Sequence, residues 1–307
     1  MAEPGLLLIR GLGHSGSTLL DLVLGANPSV VGLGEASRVL LSSSADEFAA
    51  YQLNDWSSVY NKPCTCGSMV DECELWSRFF LDWPNRRKAS FEDEFSRLIS
   101  PLSNQSIDWI VDSYQSDERL LDFHRSMRPV RVIHLTRDVR SWIHSEARRG
   151  VSRFGRGRSV GWRGLQRWVR VNRRLEKKLR HSSLQSFRLG YEELSLAPEA
   201  SLKLLCDWLG IDFCRDMLQP QDSSGSHIIA GNRMRYLSGK RSRIEYDGAW
   251  LSSNGFSLRT SLLVPGVASL NQRLVYSNNV LGEVWPPSMK LVRYRSLPCA
   301  LTLQQNI

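Results

Sequence analysis

No stretch of the 307 residues approaches the ~18 to 20 consecutive apolar residues that a membrane-spanning helix requires. The opening, MAEPGLLLIRG, sets an acid and a proline before only four consecutive apolar residues. That is too short and wrongly flanked for a secretory signal, so the chain is expected in the cytoplasm. Cysteine is sparse, at six residues, which suits reduced thiols rather than a secreted disulfide scaffold. Internal repeats and low-complexity tracts are missing, and 23% charged with 42% hydrophobic residues excludes both disorder and collagen-like repetition. The length allows one large α/β domain with a well-filled core, and a single domain over residues 1–307 is expected.

Acids are scarce in one region. Net charge is +9, yet residues 148–180 carry 13 Arg or Lys against one acid, Glu176, a local charge of +12. Such a field suits an anionic cofactor, an acidic substrate, nucleic acid or an anionic membrane, or it is a solvated helix face. No aromatic-rich RNA motif or zinc-finger spacing accompanies it, which argues against nucleic acid as a partner.

The most informative absence is a lysine. In RGLGHSGSTLLD, residues 10–21, Gly11, four residues, Gly16 and Thr18 reproduce the spacing of a phosphate-binding loop, but Ser17 stands where its lysine belongs. The apolar run GLLLIR, 5–10, reads as a buried parallel strand. Leu19, Leu22, Val23 and Ala26 then recur at helical spacing from Ser17 to about Pro28, and SVVGL, 29–33, reads as a second strand. The three elements form an expected βαβ unit. Residues 36–107 are irregular apart from a helix at 91–99, and look like an insertion carrying acceptor contacts. Strands are expected at 107–112, 130–135 and 184–189, with helices at 117–125, 139–148, 165–179 and 198–210. The fold class implied is α/β: a central, mostly parallel sheet flanked by helices in three layers.

The same glycines admit a second motif, since Gly11-x-Gly13-x-x-Gly16 is a dinucleotide fingerprint and Glu35 follows Gly16 by 19 residues. An NAD-dependent oxidoreductase is therefore a competing reading. Ser15, Ser17 and Thr18 weigh against it, because hydroxyls beside helix N-terminal N–H groups cradle a tetrahedral oxyanion. A kinase-like reading needs the missing lysine and a strand-end Asp for Mg²⁺, for which Asp112 is available. A loop without the lysine suits a phosphosulfate, whose sulfonate carries less charge and needs no metal. Arg137 at a strand end and Ser145 two helical turns later can face a second anion.

These stretches resemble the PAPS-dependent sulfotransferases, especially bacterial members related to carbohydrate and tyrosylprotein sulfotransferases. GLGHSGSTLL is similar to their 5′-phosphosulfate loop, and HLTRDVRSWIHS supplies Arg137 and Ser145 at the family's 3′-phosphate spacing. GYEELSLAPEASLKLLCDWLG and HIIAGNRMRY follow in family order, so the likeness runs from Leu7 to about Trp250, while residues 251–307 remain unassigned. It implies a P-loop-like fold and transfer of sulfonate from PAPS to a hydroxyl or amine of a small-molecule or carbohydrate acceptor. Gly13, His14, Ser15, Gly16, Ser17, Thr18, Arg137, Ser145, Gly231, Asn232 and Arg233 would bind the donor. Glu35 or His14 would be the base, and no metal is implied.

Two positions depart from the family pattern: His14 replaces an arginine in many members, and Gln115 stands where bacterial relatives carry a lysine. Arg233, Arg235 or Lys240 could restore the charge; a non-catalytic binding protein on the same fold is the alternative. Cys64-x-Cys66-Gly67 with Cys73 and Trp76 resembles a stretch in some bacterial members. Zinc would need a fourth ligand, and none lies nearby at a convincing spacing, so reduced structural thiols are expected over zinc or a local disulfide. Trp162 and Trp168 are expected to pack.

Overall fold

The computed structural model describes residues 4–40, 63–81, 90–103, 105–115, 121, 128–148, 159–220, 225–231, 243–253 and 255–281. Five strands, β1 (Gly5–Gly11), β2 (Val30–Gly32), β3 (Trp109–Asp112), β4 (Val130–Thr136) and β5 (Gln185–Gly190), form one parallel sheet in the order β2-β3-β1-β4-β5. β1 is central, paired with β3 from Gly5↔Trp109 and with β4 from Leu6↔Val130. Its seven residues are all buried, as a strand covered on both faces must be. Alternation divides them: Leu6 and Leu8 enter one core, Leu7 and Ile9 the other. Burying each such side chain contributes about 1.5–3 kcal/mol.

The helices that fill these layers follow from local signals. α1 (Ser17–Gly25) starts after Gly16 and packs Leu19, Leu20, Val23 and Leu24 into the second core. Between β2 and β3 lie α2 (Ala36–Leu40), α3 (Trp76–Phe80) and α4 (Phe91–Ile99), the last held at its start by a capping box between Ser90 and Asp93. α5 (Val139–Ala147) follows β4, and α6 (Ser159–His181) buries Leu165, Trp168, Leu175 and Leu179 while Arg163, Arg170, Arg173 and Arg180 stay exposed. Its basic character is thus the outer face of an amphipathic helix. Trp168 packs as expected, but Trp162 is 37% exposed. α7 (Tyr191–Leu196) and α8 (Pro198–Leu209) cover β5, α8 opening on Pro198 and closing on Gly210 at φ +71°. The C-terminal stretch contributes α9 (Phe256–Thr260) and α10 (Val267–Val275), whose Val267, Leu270 and Leu274 pack with Val139, Trp142 and Trp168. The helix expected at 117–125 falls largely outside the described residues. No helix among the described residues is long and apolar enough to cross a membrane.

β1, α1 and β2 form the expected βαβ unit, but its two strands are not neighbours, because β3 lies between them. β3 pairs with both, Gly5↔Trp109 on one side and Val30↔Trp109 on the other. Pairing across 79 and 104 positions of sequence leaves no local pattern, whereas strand, turn and helix do. The order also creates a crevice. Chain leaving β1 runs toward β3 and β2, and chain leaving β4 runs toward β5, so their connections diverge at the carboxyl edge, where open α/β sheets bind ligands.

Candidate active site

Because all five strands are parallel, the ends of β1, β3, β4 and β5 deliver the 12–16 loop, Asp112, Arg137 and Tyr191 to one edge. Gly11 passes so close to β4 that a Cβ there would lie 2.1 Å from the Leu135 carbonyl oxygen. Gly16 adopts φ +94°, and a Cβ on it would meet the Tyr191 ring at 2.8 Å. The loop therefore demands glycine at both points for conformation and for space. His14 is left-handed as well, at φ +70°, an uncommon state for a side-chain-bearing residue and a mark of a constrained turn.

α1 begins at this turn without a side-chain cap among the described residues. Its first N–H groups and the hydroxyls of Ser17 and Thr18 are thus placed where a helix N-terminus receives an anion. Ser15 is buried, and its N–H donates to the Leu12 carbonyl at 3.3 Å, tightening the turn. Gly231 closes one side: a Cβ on it would come 3.6 Å from Thr18 Oγ1. Asn232 and Arg233, with Arg235 and Lys240, lie outside the described residues.

Arg137, first residue after β4, is clamped from several directions. Its Nε donates to Ser141 Oγ at 2.6 Å, Nη1 to the His14 carbonyl at 3.3 Å, and Nη2 to Asp247 Oδ2 at 3.0 Å. The guanidinium carbon sits 4.5 Å from the centroid of the Tyr191 ring, a cation–π contact that fixes its plane. Tyr191 is in turn held by its hydroxyl, which donates to the Glu245 carbonyl and accepts from the Asp247 N–H. Trp142 Nε1 donates to the Gly13 carbonyl at 2.8 Å. Phosphate loop and Arg137 turn are thereby one construction. Ser145 lies half-buried one turn beyond Ser141, on the same helix face by its spacing.

Trp142, Tyr191, Ser141 and Asp247 were not among the site residues expected from sequence. Ser141 and Trp142 sit inside the R-D-V-R-S-W run and Tyr191 opens Y-E-E-L, but aromatics on helices read first as core. Nothing local marks Asp247. Burial acts to raise its pKa, and the hydrogen bond and charge of Arg137 more than reverse this, leaving the carboxyl's pKa below its ordinary value.

The other expected residues are placed as follows. Glu35 precedes α2, half-buried, with Oε2 accepting from Arg38 Nη1 at 2.8 Å. Its N–H reaches the Ala230 carbonyl, so it stands beside the segment that ends at Gly231. Asp112 is not available to hold Mg²⁺ in a kinase-like manner. It is ion-paired to Arg10 at 2.7 Å and accepts from the Ser37 hydroxyl and N–H, all of it buried. Gln115 folds inward, its amide nitrogen donating to the Ile9 and Ser113 carbonyls while Oε1, near Gly11, is buried without a partner among the described residues. The dinucleotide reading loses its support too. In that fold the second strand lies beside the first, but here β3 lies between them, two inter-strand spacings or roughly 10 Å in all.

No disulfide joins Cys64, Cys66 or Cys73. The expectation that no fourth ligand accompanies them is corrected: His227, 154 positions from Cys73, brings Nδ1 to 3.3 Å from its sulfur. A chain reversal set by tertiary packing produced this neighbour, and no sequence spacing could show it.

The comparisons agree with this geometry. The chain is similar in fold to the sulfotransferase domain from the Synechococcus PCC 7002 olefin synthase, at 20% identity and a TM-score of 0.59, over 91% of this chain and 96% of that one. A sulfotransferase domain from the curacin biosynthetic pathway aligns at 20% identity and a TM-score of 0.52, over 91% and 98%. No curated protein is similar enough to this chain to match it. Residues 7–215 match the profile of the Sulfotransferase family, from the first strand through the helices after β5, and the chain belongs to that family.

Proposed function

We propose that this protein transfers the sulfonate of PAPS to a hydroxyl or amine of a small-molecule or carbohydrate acceptor. The observation that carries the reading is the single construction of an uncapped, lysine-free phosphate loop and Arg137, joined through the His14 and Gly13 carbonyls. Gly13, His14, Ser15, Gly16, Ser17 and Thr18 would receive the 5′-phosphosulfate; Arg137 and Ser145 would receive the 3′-phosphate, with Gly231, Asn232 and Arg233 over the nucleotide. Asp247 holds the guanidinium in the meantime, and because its side chain is 44% exposed it can yield to an incoming phosphate.

In the transfer an acceptor oxygen or nitrogen forms a bond to sulfur, the bond from sulfur to the bridging oxygen breaks, and adenosine 3′,5′-bisphosphate leaves. The acceptor proton passes to Glu35 or His14. Main-chain N–H groups and hydroxyls stabilise the charge developing on the bridging oxygen. Incubation with sulfur-labelled PAPS and a panel of alcohols, amines and sugars tests the proposal. Label moving to an acceptor, and lost in Arg137→Ala, supports it; tight nucleotide binding without transfer to any acceptor favours a binding protein on the same fold.

A further inference from the structure

The β2–β3 connection holds a cluster that the transfer chemistry does not use. The ligand-capable atoms of Cys64, Cys66, Cys73 and His227 all lie within 4.8 Å of one another. Cys73 and Cys64 sulfurs are 3.7 Å apart, and Cys73 sulfur is 3.3 Å from His227 Nδ1. A tetrahedral zinc with Zn–S near 2.3 Å and Zn–N near 2.0–2.1 Å leaves two sulfurs about 3.8 Å apart and a sulfur and nitrogen about 3.5 Å apart. The observed spacings fit those of a metal-ligand shell, and they are far from the roughly 2.05 Å of a disulfide.

The backbone around the thiols is shaped for such a shell. Pro63 and Met69 form an antiparallel bridge, Cys64 N–H donates to the Ser68 carbonyl and Gly67 N–H to the Cys64 carbonyl. Gly67 at φ +97° permits the reversal. The histidine is brought in with equal definition. Thr65 Oγ1 donates to the Ser226 carbonyl and accepts from the Ile228 N–H, and Trp76 Nε1 donates to the His227 carbonyl at 2.6 Å. Residues on both sides of His227 are therefore fastened to the cysteine loop and to α3.

We propose that Cys64, Cys66, Cys73 and His227 hold a structural zinc ion that fastens the β2–β3 connection to residues 225–231. Three thiolates and one imidazole complete a four-coordinate shell with no position left for water or substrate, which assigns the ion a structural role. Cys64 and Cys73 are buried and Cys66 is exposed, so the ion would sit at the margin of the core with one face toward solvent. Its effect would be to pin the stretch from Cys64 to Cys73 to the segment leading to Gly231.

Elemental analysis of the full chain, produced with zinc supplementation and freed of loose metal by gel filtration in mild chelator, is the test. About one zinc per chain is expected, falling at least tenfold in His227→Ala and in Cys66→Ser, the latter at an exposed position. A second measurement does not depend on variants. Cobalt(II) added to the stripped wild-type protein should give tetrahedral ligand-field bands with thiolate-to-metal charge transfer, and zinc should abolish them. Wild-type protein that carries no zinc and gives no such spectrum, or a Cys64–Cys73 disulfide found by non-reducing mass spectrometry, overturns the proposal. None of these readouts involves PAPS, so the result is independent of the transfer reading.

Discussion

Two arginine–aspartate pairs stand at the carboxyl edge of the same sheet and differ in one respect. Arg10 and Asp112 are almost completely enclosed, with side chains 3% and 1% exposed, and Asp112 is further satisfied by Ser37. Arg137 and Asp247 meet at a similar distance, but Asp247 is 44% exposed and arrives from a distant part of the chain. A pair so enclosed is out of a ligand's reach and holds structure. In the proposed donor site, an open pair would keep a guanidinium oriented and charged while offering its acid as the part exchanged for a phosphate. The difference explains why Asp112, attractive in sequence as a metal-binding strand-end acid, is spoken for, and why Arg137 is not.

The largest effect expected from this contrast is on stability. Asp112→Asn should lower unfolding stability by about 3–5 kcal/mol in urea titration, since it strands the buried Arg10 charge. A loss below about 1 kcal/mol would show that the pair is not closed in solution.

Next in size is a pH effect from a carboxyl beside the open pair. Glu192 Oε2 accepts from the Asp138 N–H at the Arg137 turn, and burial, reinforced by the Asp138 charge, pushes its pKa up from 4.5 to about 8. A folded value above the unfolded one means that the native state holds the extra proton. Its contribution is therefore present below about pH 4.5 and is lost as pH rises through about 8. Asp21, also buried and raised to about 8, adds to the same slope. Thermal unfolding should show wild-type stability declining between pH 5 and 8 more steeply than that of Glu192→Gln; equal slopes would remove Glu192 from the account.

Smaller still is the release of the open pair itself. Asp247→Asn should tighten binding of adenosine 3′,5′-bisphosphate by roughly two- to fivefold, the worth of a half-exposed ion pair. Weaker binding would make Asp247 a positioning group instead of a competitor. Smallest is His14→Gly, which removes the left-handed strain at φ +70° and should leave stability unchanged or raise it by up to about 1 kcal/mol in the same urea titration. A clear loss would mean that the ring itself packs.

How much of this was visible in sequence follows the range of each interaction. β1, the glycine turn and α1 were legible because strand, left-handed turn and helix start are set by neighbouring residues. α8 was legible through Pro198 at its start and Gly210 at its end, and a helix at 91–99 was expected as well. The position of β3 between β1 and β2 was not, since parallel pairing leaves no mark on spacing. Within the site, Arg137 announced itself by its place after a strand. Tyr191, Trp142 and Asp247 act through contacts made across 54 to 129 positions, and their residue types suit a core or a surface equally well. His227 joined the cysteines by the same long-range route.

The most direct measurement is isothermal titration of the wild-type protein and Arg137→Ala with adenosine 3′,5′-bisphosphate, with NADH as control. Saturable binding by wild type, weakened by about 100-fold or more in the variant as expected for loss of a charged fork on phosphate, and no response to NADH, is the expected result. Absence of binding to the wild type, or binding that Arg137→Ala leaves unchanged, would contradict the claim that the loop and the Arg137 turn together form the donor site.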